Sequence, residues 1–263
     1  GVQAGIDLIV IETMTDLYEV KAAILAAKEC CEQLGKELPV LVSMTFEANG
    51  RTFTGCCVPS MAAVIEGLGA DAIGFNCSLG PVELLPFARQ LRENTSLPIF
   101  IKPNAGLPDP LTGSYSIDAA KFADCMQEYL ALGIHLFGGC CGTDPSFIRA
   151  MRQMLDQKHP QDFPNPVVSR QACVCTPTCF VPIDRVRIIG ERINPTGKKR
   201  LKQAILEQDF DYILSQGLSQ LEAGAQILDV NMGMPEVDES RMLPLVIQKL
   251  QGVLDAPVSY THL

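Results

Sequence analysis

Five times before residue 156 a short apolar run gives way to an amphipathic segment, and this repeat limits the chain to few architectures. The runs are Ile6–Ile11, Val40–Phe46, Ala72–Phe75, Ile99–Lys102 and Ile134–Phe137. Between them the spacing predicts helices over Asp16–Glu32 (with Leu17, Val20, Ile24 and Leu25 on one face), Pro59–Leu68, from Pro81, over Ile117–Leu130, and from Asp144. Short, nearly uninterrupted apolar strands alternating with helices imply an α/β fold with a parallel sheet covered on both faces. Each run also ends in residues able to do chemistry: Glu12, Glu47, Asn76 with Cys77, Asn104, and Cys140 with Cys141. In a (β/α)8 barrel such positions converge on one mouth, where active sites sit. Five units do not close eight strands, so residues 1–156 are expected to be the five C-terminal βα units of a partial barrel, the first three lying outside this sequence.

After residue 156 the rhythm stops. Residues 157–185 are rich in proline and have neither helical nor strand period, which reads as a linker. A second α/β rhythm follows over residues 186–263. A strand at Val186–Gly190 leads into Glu191-Arg192-Ile193-Asn194-Pro195-Thr196-Gly197, then come a helix at Asp209–Ala223, a strand at Ala225–Val230 and a helix at Asp238–Leu254. This reads as the truncated start of a second (β/α)8 barrel, and the last residues, Ser259–Leu263, read as possible foreign sequence.

Gly138-Gly139-Cys140-Cys141-Gly142-Thr143 sets two adjacent thiols among three glycines at a strand end. Side chains of neighbouring strand residues point to opposite faces, so both sulfurs can face one point only where the backbone turns, which glycine permits. Cys77, in Gly74-Phe75-Asn76-Cys77-Ser78, ends another strand. Three thiolates leaving one position open have the pattern of a catalytic zinc site. Cys56 and Cys57 compete for the role but lack flanking glycines on both sides. Cys30 and Cys31 read as packing residues near a helix end. Cys173, Cys175 and Cys179 have a spacing that a metal could use.

The chain has eleven cysteines, an odd count with three adjacent pairs, in 263 residues. That suits free thiols in a reducing cytoplasm better than a secreted disulfide framework. The net charge of −9 is spread without a basic stripe, which argues against nucleic acid as a partner. No apolar run is long enough for a membrane span.

These residues resemble a known family. Gly74–Ser78 together with Gly138–Thr143 is similar to the zinc signature of the homocysteine S-methyltransferases, and Ile11-Glu12-Thr13 and Lys102–Gly106 fit that family's strand ends. Gly190–Gly197 and Leu228-Asp229-Val230-Asn231 resemble the opening of a pterin-binding, methyltetrahydrofolate-using barrel. A homocysteine barrel followed by a pterin barrel is the order found in cobalamin-dependent methionine synthases. The family's opening Asp-Gly-Ala-Met-Gly-Thr-like strand, the later pterin strands and the cobalamin module are absent from this sequence. The resemblance therefore implies an internal fragment, inactive alone, of an enzyme that methylates homocysteine.

It further implies that Cys77, Cys140 and Cys141 hold zinc and act catalytically, that Glu12 and Asn104 bind substrate, and that Glu191, Asn194, Asp229 and Asn231 face the pterin. Methylcobalamin, bound by a separate module, would be the methyl donor, and methyltetrahydrofolate the methyl source. Two other readings stand beside this one: a cobalamin-independent homocysteine methyltransferase, and a non-catalytic zinc or thiol-binding protein that would also load metal at the three linker cysteines.

Overall fold

The computed structural model describes residues 1–109, 111–158 and 171–260. The chain divides into two compact units, residues 1–170 and 171–263.

In the first unit a short 3-10 turn (Val2–Ala4) precedes five βα pairs. They are β1 (Ile9–Met14) and α1 (Leu17–Gln33), β2 (Val40–Met44) and α2 (Val58–Gly67), β3 (Ala72–Asn76) and α3 (Pro81–Asn94), β4 (Ile99–Lys102) and α4 (Ala119–Leu130), and β5 (Leu136–Phe137) and α5 (Pro145–Asp156). The strands pair in parallel in the order β1-β2-β3-β4-β5. Every crossover therefore steps the same way along the sheet. Because parallel crossovers are almost always right-handed, such stepping stacks all the helices on one face, and each helix packs against the next.

The sequence predicts a sheet covered on both faces, and the middle strands bear this out. Val42, Met44, Ile73, Phe75 and Ile101 are wholly buried on one face, while the alternating residues Ser43, Phe100 and Asn76 are 0, 6 and 1% exposed on the other. Cover on that second face thins toward the edge strands, where Val10 of β1 and Leu136 of β5 are 43 and 42% exposed.

Local chemistry sets the helix starts. Asp16 accepts hydrogen bonds from the Tyr18 and Glu19 N–H groups. Asp118 and Asp144 cap α4 and α5 in the same way, and proline fills the first position of α3 and α5. Beneath the helices Phe46 meets Phe75 edge to face at 5.1 Å, and Phe122 meets Phe147 at 5.3 Å.

The second unit opens on an antiparallel hairpin, β6 (Cys173–Cys175) with β7 (Phe180–Pro182). It continues with β8 (Ile189–Ile193), α6 (Lys199–Glu207), α7 (Phe210–Glu222), β9 (Ile227–Val230), α8 (Glu239–Gln251) and β10 (Val258–Tyr260). Its sheet is parallel in the order β10-β9-β8.

Four sequence expectations change here. The stretch read as structureless linker contains the hairpin, a pairing too short to show a period, while residues 159–170 lie outside the described residues. Helix α6 went unrecognised because its buried side is only Leu201, Ala204 and Ile205 among charged neighbours. Strand β8 begins three residues later than expected and includes Glu191 and Arg192, while the apolar residues ahead of it are exposed, Val186 at 92%. Finally, Val258–Tyr260, partly within the segment suspected to be foreign, pairs with Leu228–Val230 as an in-register strand. Residues 261–263 lie outside the described residues.

Gly74 sits at the centre of β3, where a Cβ would lie 1.9 Å from the Phe100 carbonyl oxygen of β4. Gly67, in helical backbone at the end of α2, meets open space. Gly74→Ala is expected to lower the denaturant-unfolding free energy by ~2 kcal/mol or more, because backbone must move. Gly67→Ala should leave it unchanged or raise it by ~0.5–1 kcal/mol.

Candidate metal centre

The site is assembled from the ends of β3, β4 and β5. Cys77 follows β3 in a left-handed conformation (φ 65°), as does Ser78 (φ 61°). Such backbone costs a non-glycine residue on the order of 1–3 kcal/mol and persists where surroundings impose it. Here the Cys77 N–H donates to the Lys102 carbonyl at 3.2 Å and the Leu79 N–H to the Cys77 carbonyl at 2.7 Å.

The other two thiols sit in a β-turn closed by the Thr143 N–H donating to the Cys140 carbonyl at 3.1 Å. Gly142 occupies the third turn position at φ 80°, the value a type II turn requires there. The neighbouring glycines are needed for proximity. A Cβ on Gly138 would come within 2.9 Å of the Lys102 side chain, one on Gly139 within 2.4 Å of Thr143 Oγ1, and one on Gly142 within 2.3 Å of the Tyr115 ring.

This turn is stitched to the loop after β4. The Cys140 N–H donates to the Pro103 carbonyl at 2.9 Å, the Ala105 N–H to the Cys141 carbonyl at 2.9 Å, and the Cys141 N–H to Asn104 Oδ1 at 3.1 Å. As a result the sulfurs of Cys77, Cys140 and Cys141 all lie within 4.8 Å of one another, with Cys77 and Cys141 3.7 Å apart. A zinc ion with ~2.3 Å bonds to sulfur would hold tetrahedral ligands about 3.8 Å apart. The donor set and its spacing both fit that ion. Among the described residues this is the one cluster of three or more Cys, His, Asp or Glu ligand atoms so gathered.

Burial, and then the neighbouring thiols, push the Cys77 thiol up to about 11, against a backbone hydrogen bond from Ser78 that opposes the rise. The Tyr115 hydroxyl is also held above its ordinary value, by burial first and then by Cys141 beside it.

The other sequence candidates are distributed as follows. Glu12 lies inside β1, at the irregular register step before Met14, and forms an ion pair with Lys102, the last residue of β4. Asn104 is nearly buried, with its carbonyl oxygen on the Cys141 N–H. In the second unit Asn194 donates to Glu191, and Lys198 lies 3.5 Å from the same carboxylate. Asp229 accepts from Ser259 at 2.6 Å, and Asn231 accepts from the Gly233 N–H at 2.8 Å, an ordinary Asx turn.

Cys56 is buried, Cys57 stands at the N-cap position of α2 with its thiol donating to Ser60 Oγ at 3.2 Å, and neither belongs to the gathered thiol cluster. The hairpin register pairs Cys173 with Pro182 and Cys175 with Phe180, while Cys179 lies in the connecting loop, and these three are not among the described residues whose ligand atoms gather within 4.8 Å. Tyr115 was not anticipated at the site; Lys102 and Asn76 stood within quoted strand-end motifs, but nothing in the sequence signalled the Lys102–Glu12 pair or the contacts of Asn76 to Thr13, Ser43 and Cys140.

A parallel sheet whose strand ends gather three thiols makes this an α/β protein with a candidate thiolate metal site. The chain belongs to the homocysteine S-methyltransferase family, whose model matches residues 1–155. It is 32% identical over 237 residues to the methionine synthase of Mycobacterium leprae, covering 86% of this chain, and 32% identical over 233 residues to that of Mycobacterium tuberculosis. The chain spans about a fifth of the length of these curated relatives, 19% in each case. Among solved structures, the metallated form of the homocysteine methyltransferase MmuM from Escherichia coli is 25% identical, with 58% of this chain and 46% of that one covered at a TM-score of 0.45. Among the described residues no helix is long and apolar enough to cross a membrane.

A buried thiol favours its neutral, protonated form. In the metal-free chain, alkylation of Cys77 followed by peptide mapping should therefore remain slow through pH 9 and accelerate toward pH 11. In the denaturant-unfolded chain the same cysteine should accelerate near pH ~8.5.

Proposed function

We propose that this chain is part of a methionine synthase that activates the homocysteine thiol for methylation. In this reading residues 1–156 are the C-terminal arc of a zinc-holding (β/α)8 barrel, residues 157–185 a linker, and residues 186–263 the beginning of a pterin-binding barrel. The carrying observation is the convergence of Cys77, Cys140 and Cys141 within 4.8 Å at the strand ends. Membership of the homocysteine S-methyltransferase family over residues 1–155 supports it, as do alignments to mycobacterial methionine synthases that run well beyond that segment. The unidirectional strand order and one-sided helices support the barrel arc.

Zinc, when bound, supplies a Lewis acid that favours the ionised form of a fourth sulfur. The chain's own residues determine how that chemistry is used. Three cysteine thiolates carry more negative charge than the ion neutralises, so the substrate sulfur retains electron density and remains nucleophilic. Histidine ligands would withdraw more of it. Glu12 offers a carboxylate to the homocysteine ammonium, and its partner Lys102 offers a cation to the carboxylate of the same amino acid. Asn104 holds the Cys141 main chain in place. The substrate sulfur forms its new bond to the methyl carbon as the bond from that carbon to its carrier breaks, with the electron pair staying on the carrier.

Methylcobalamin on a separate module is the proposed carrier and methyltetrahydrofolate the proposed source of the methyl group. Glu191, Asn194, Asp229 and Asn231, at the ends of β8 and β9, face the pterin in this reading. The metal-loading thiol-buffer alternative is less well supported, since among the described residues Cys77, Cys140 and Cys141, not the linker cysteines, gather their ligand atoms within 4.8 Å.

The full 263-residue chain is expected to bind about one zinc. Cys77→Ser, Cys140→Ser and Cys141→Ser should each weaken zinc by ~100-fold or more in chelator competition, beyond the range of outer-sphere changes, while Cys57→Ser should not. Homocysteine should add one sulfur to the coordination shell by X-ray absorption. Full zinc retention in Cys140→Ser would sink the assignment.

A further inference from the structure

A site that carries three ligand sulfurs and one substrate sulfur has a selectivity problem, because all four can attack a methyl group. The structure contains a group placed to reduce the nucleophilicity of one ligand. Asn76 closes β3 and is 1% exposed. The Thr13 N–H and the Ser43 hydroxyl approach one end of its amide, at 2.9 and 2.7 Å. A backbone N–H can only donate, so the atom facing Thr13 must be the amide oxygen, and the orientation of the side chain follows without ambiguity. The amide nitrogen then has two protons to place. One goes to Thr13 Oγ1 at 2.7 Å, and the other faces Cys140 Sγ at 3.9 Å.

All four hydrogen-bonding positions of the side chain are therefore occupied, and three of them hold it so that the fourth addresses the sulfur. The anchor is unusually stiff. Thr13 itself adopts a left-handed conformation (φ 61°), and Thr45 Oγ1 donates to the Asn76 carbonyl at 3.0 Å, so the ends of β1, β2 and β3 lock one another.

Building on the zinc reading above, we propose that Asn76 is a positioning residue that donates its amide N–H to the Cys140 sulfur, withdrawing charge from that ligand and directing methylation to the substrate's sulfur instead. Hydrogen bonds to ionised acceptors are shorter and roughly twice as strong as neutral ones. The 3.9 Å contact therefore tightens when Cys140 is a thiolate.

The wild-type chain loaded with cadmium-113 offers a direct test, because an N–H···S bond transmits a proton–metal coupling. A correlation between the metal and an Asn76 side-chain proton is expected, and its absence would overturn the proposal. In a second measurement the zinc-loaded chain is treated with iodoacetamide and the modified cysteines are mapped. Asn76→Ala should raise the rate at Cys140 by about tenfold, the effect of losing a bond to a charged acceptor. Ser43→Ala loosens the same anchor without removing the N–H···S donor, and should leave that rate near wild type. Equal rates in both variants, with zinc retained, would assign Asn76 a purely structural role. Should Asn76→Ala fail to fold, the cadmium experiment on wild type decides alone. A wild-type chain that takes up neither metal would overturn the proposed function itself, whereas metal uptake without the Asn76 coupling would overturn this inference only.

Discussion

The seam between the loop after β4 and the turn after β5 is the constraint on which the site depends. Cys140 and Cys141 are fixed by main-chain bonds to Pro103 and Ala105 and by the Asn104 side chain, rather than by any attraction between sulfurs. Three thiols crowded together gain little from one another, and burial pushes the Cys77 thiol up. The backbone holds them together regardless. Parallel strands ending at a common level make this possible, since each strand delivers its next residue to the same rim.

Glu12 and Lys102 extend the same logic. They stand on β1 and β4, with two strands between them, yet their side chains meet. Together they present an anion and a cation on the rim that also bears the sulfurs. In the proposed function the ammonium, carboxylate and sulfur of the substrate amino acid would each meet a counterpart on this rim.

Much of this was legible in the sequence. The five βα units, the helices opening near Asp16 and Asp144, and the three strand-end thiols followed from period and glycine placement. What was not legible depends on contacts between segments distant in the chain. No local pattern could reveal that Asn76 reaches Thr13, 63 residues away, and Cys140, 64 residues away, or that Lys102 would meet Glu12. The hairpin at Cys173–Pro182 was missed because three paired residues per strand are too few for alternation to register.

The three glycines of the thiol turn have a further implication. Each marks a place where another part of the protein occupies the volume a side chain would need: the Lys102 stem, Thr143 and the Tyr115 ring. The turn is thus cast in a mould, and its shape exists before any ion arrives. Loading such a cavity orders very little chain, so most of the affinity of sulfur for the ion is available for binding. In zinc fingers, by contrast, the same bonds must also fold the polypeptide. If zinc binds as proposed, a preformed cradle of this kind would let the ion be exchanged, or its coordination remodelled on entry of a fourth sulfur, while the surrounding sheet stayed intact.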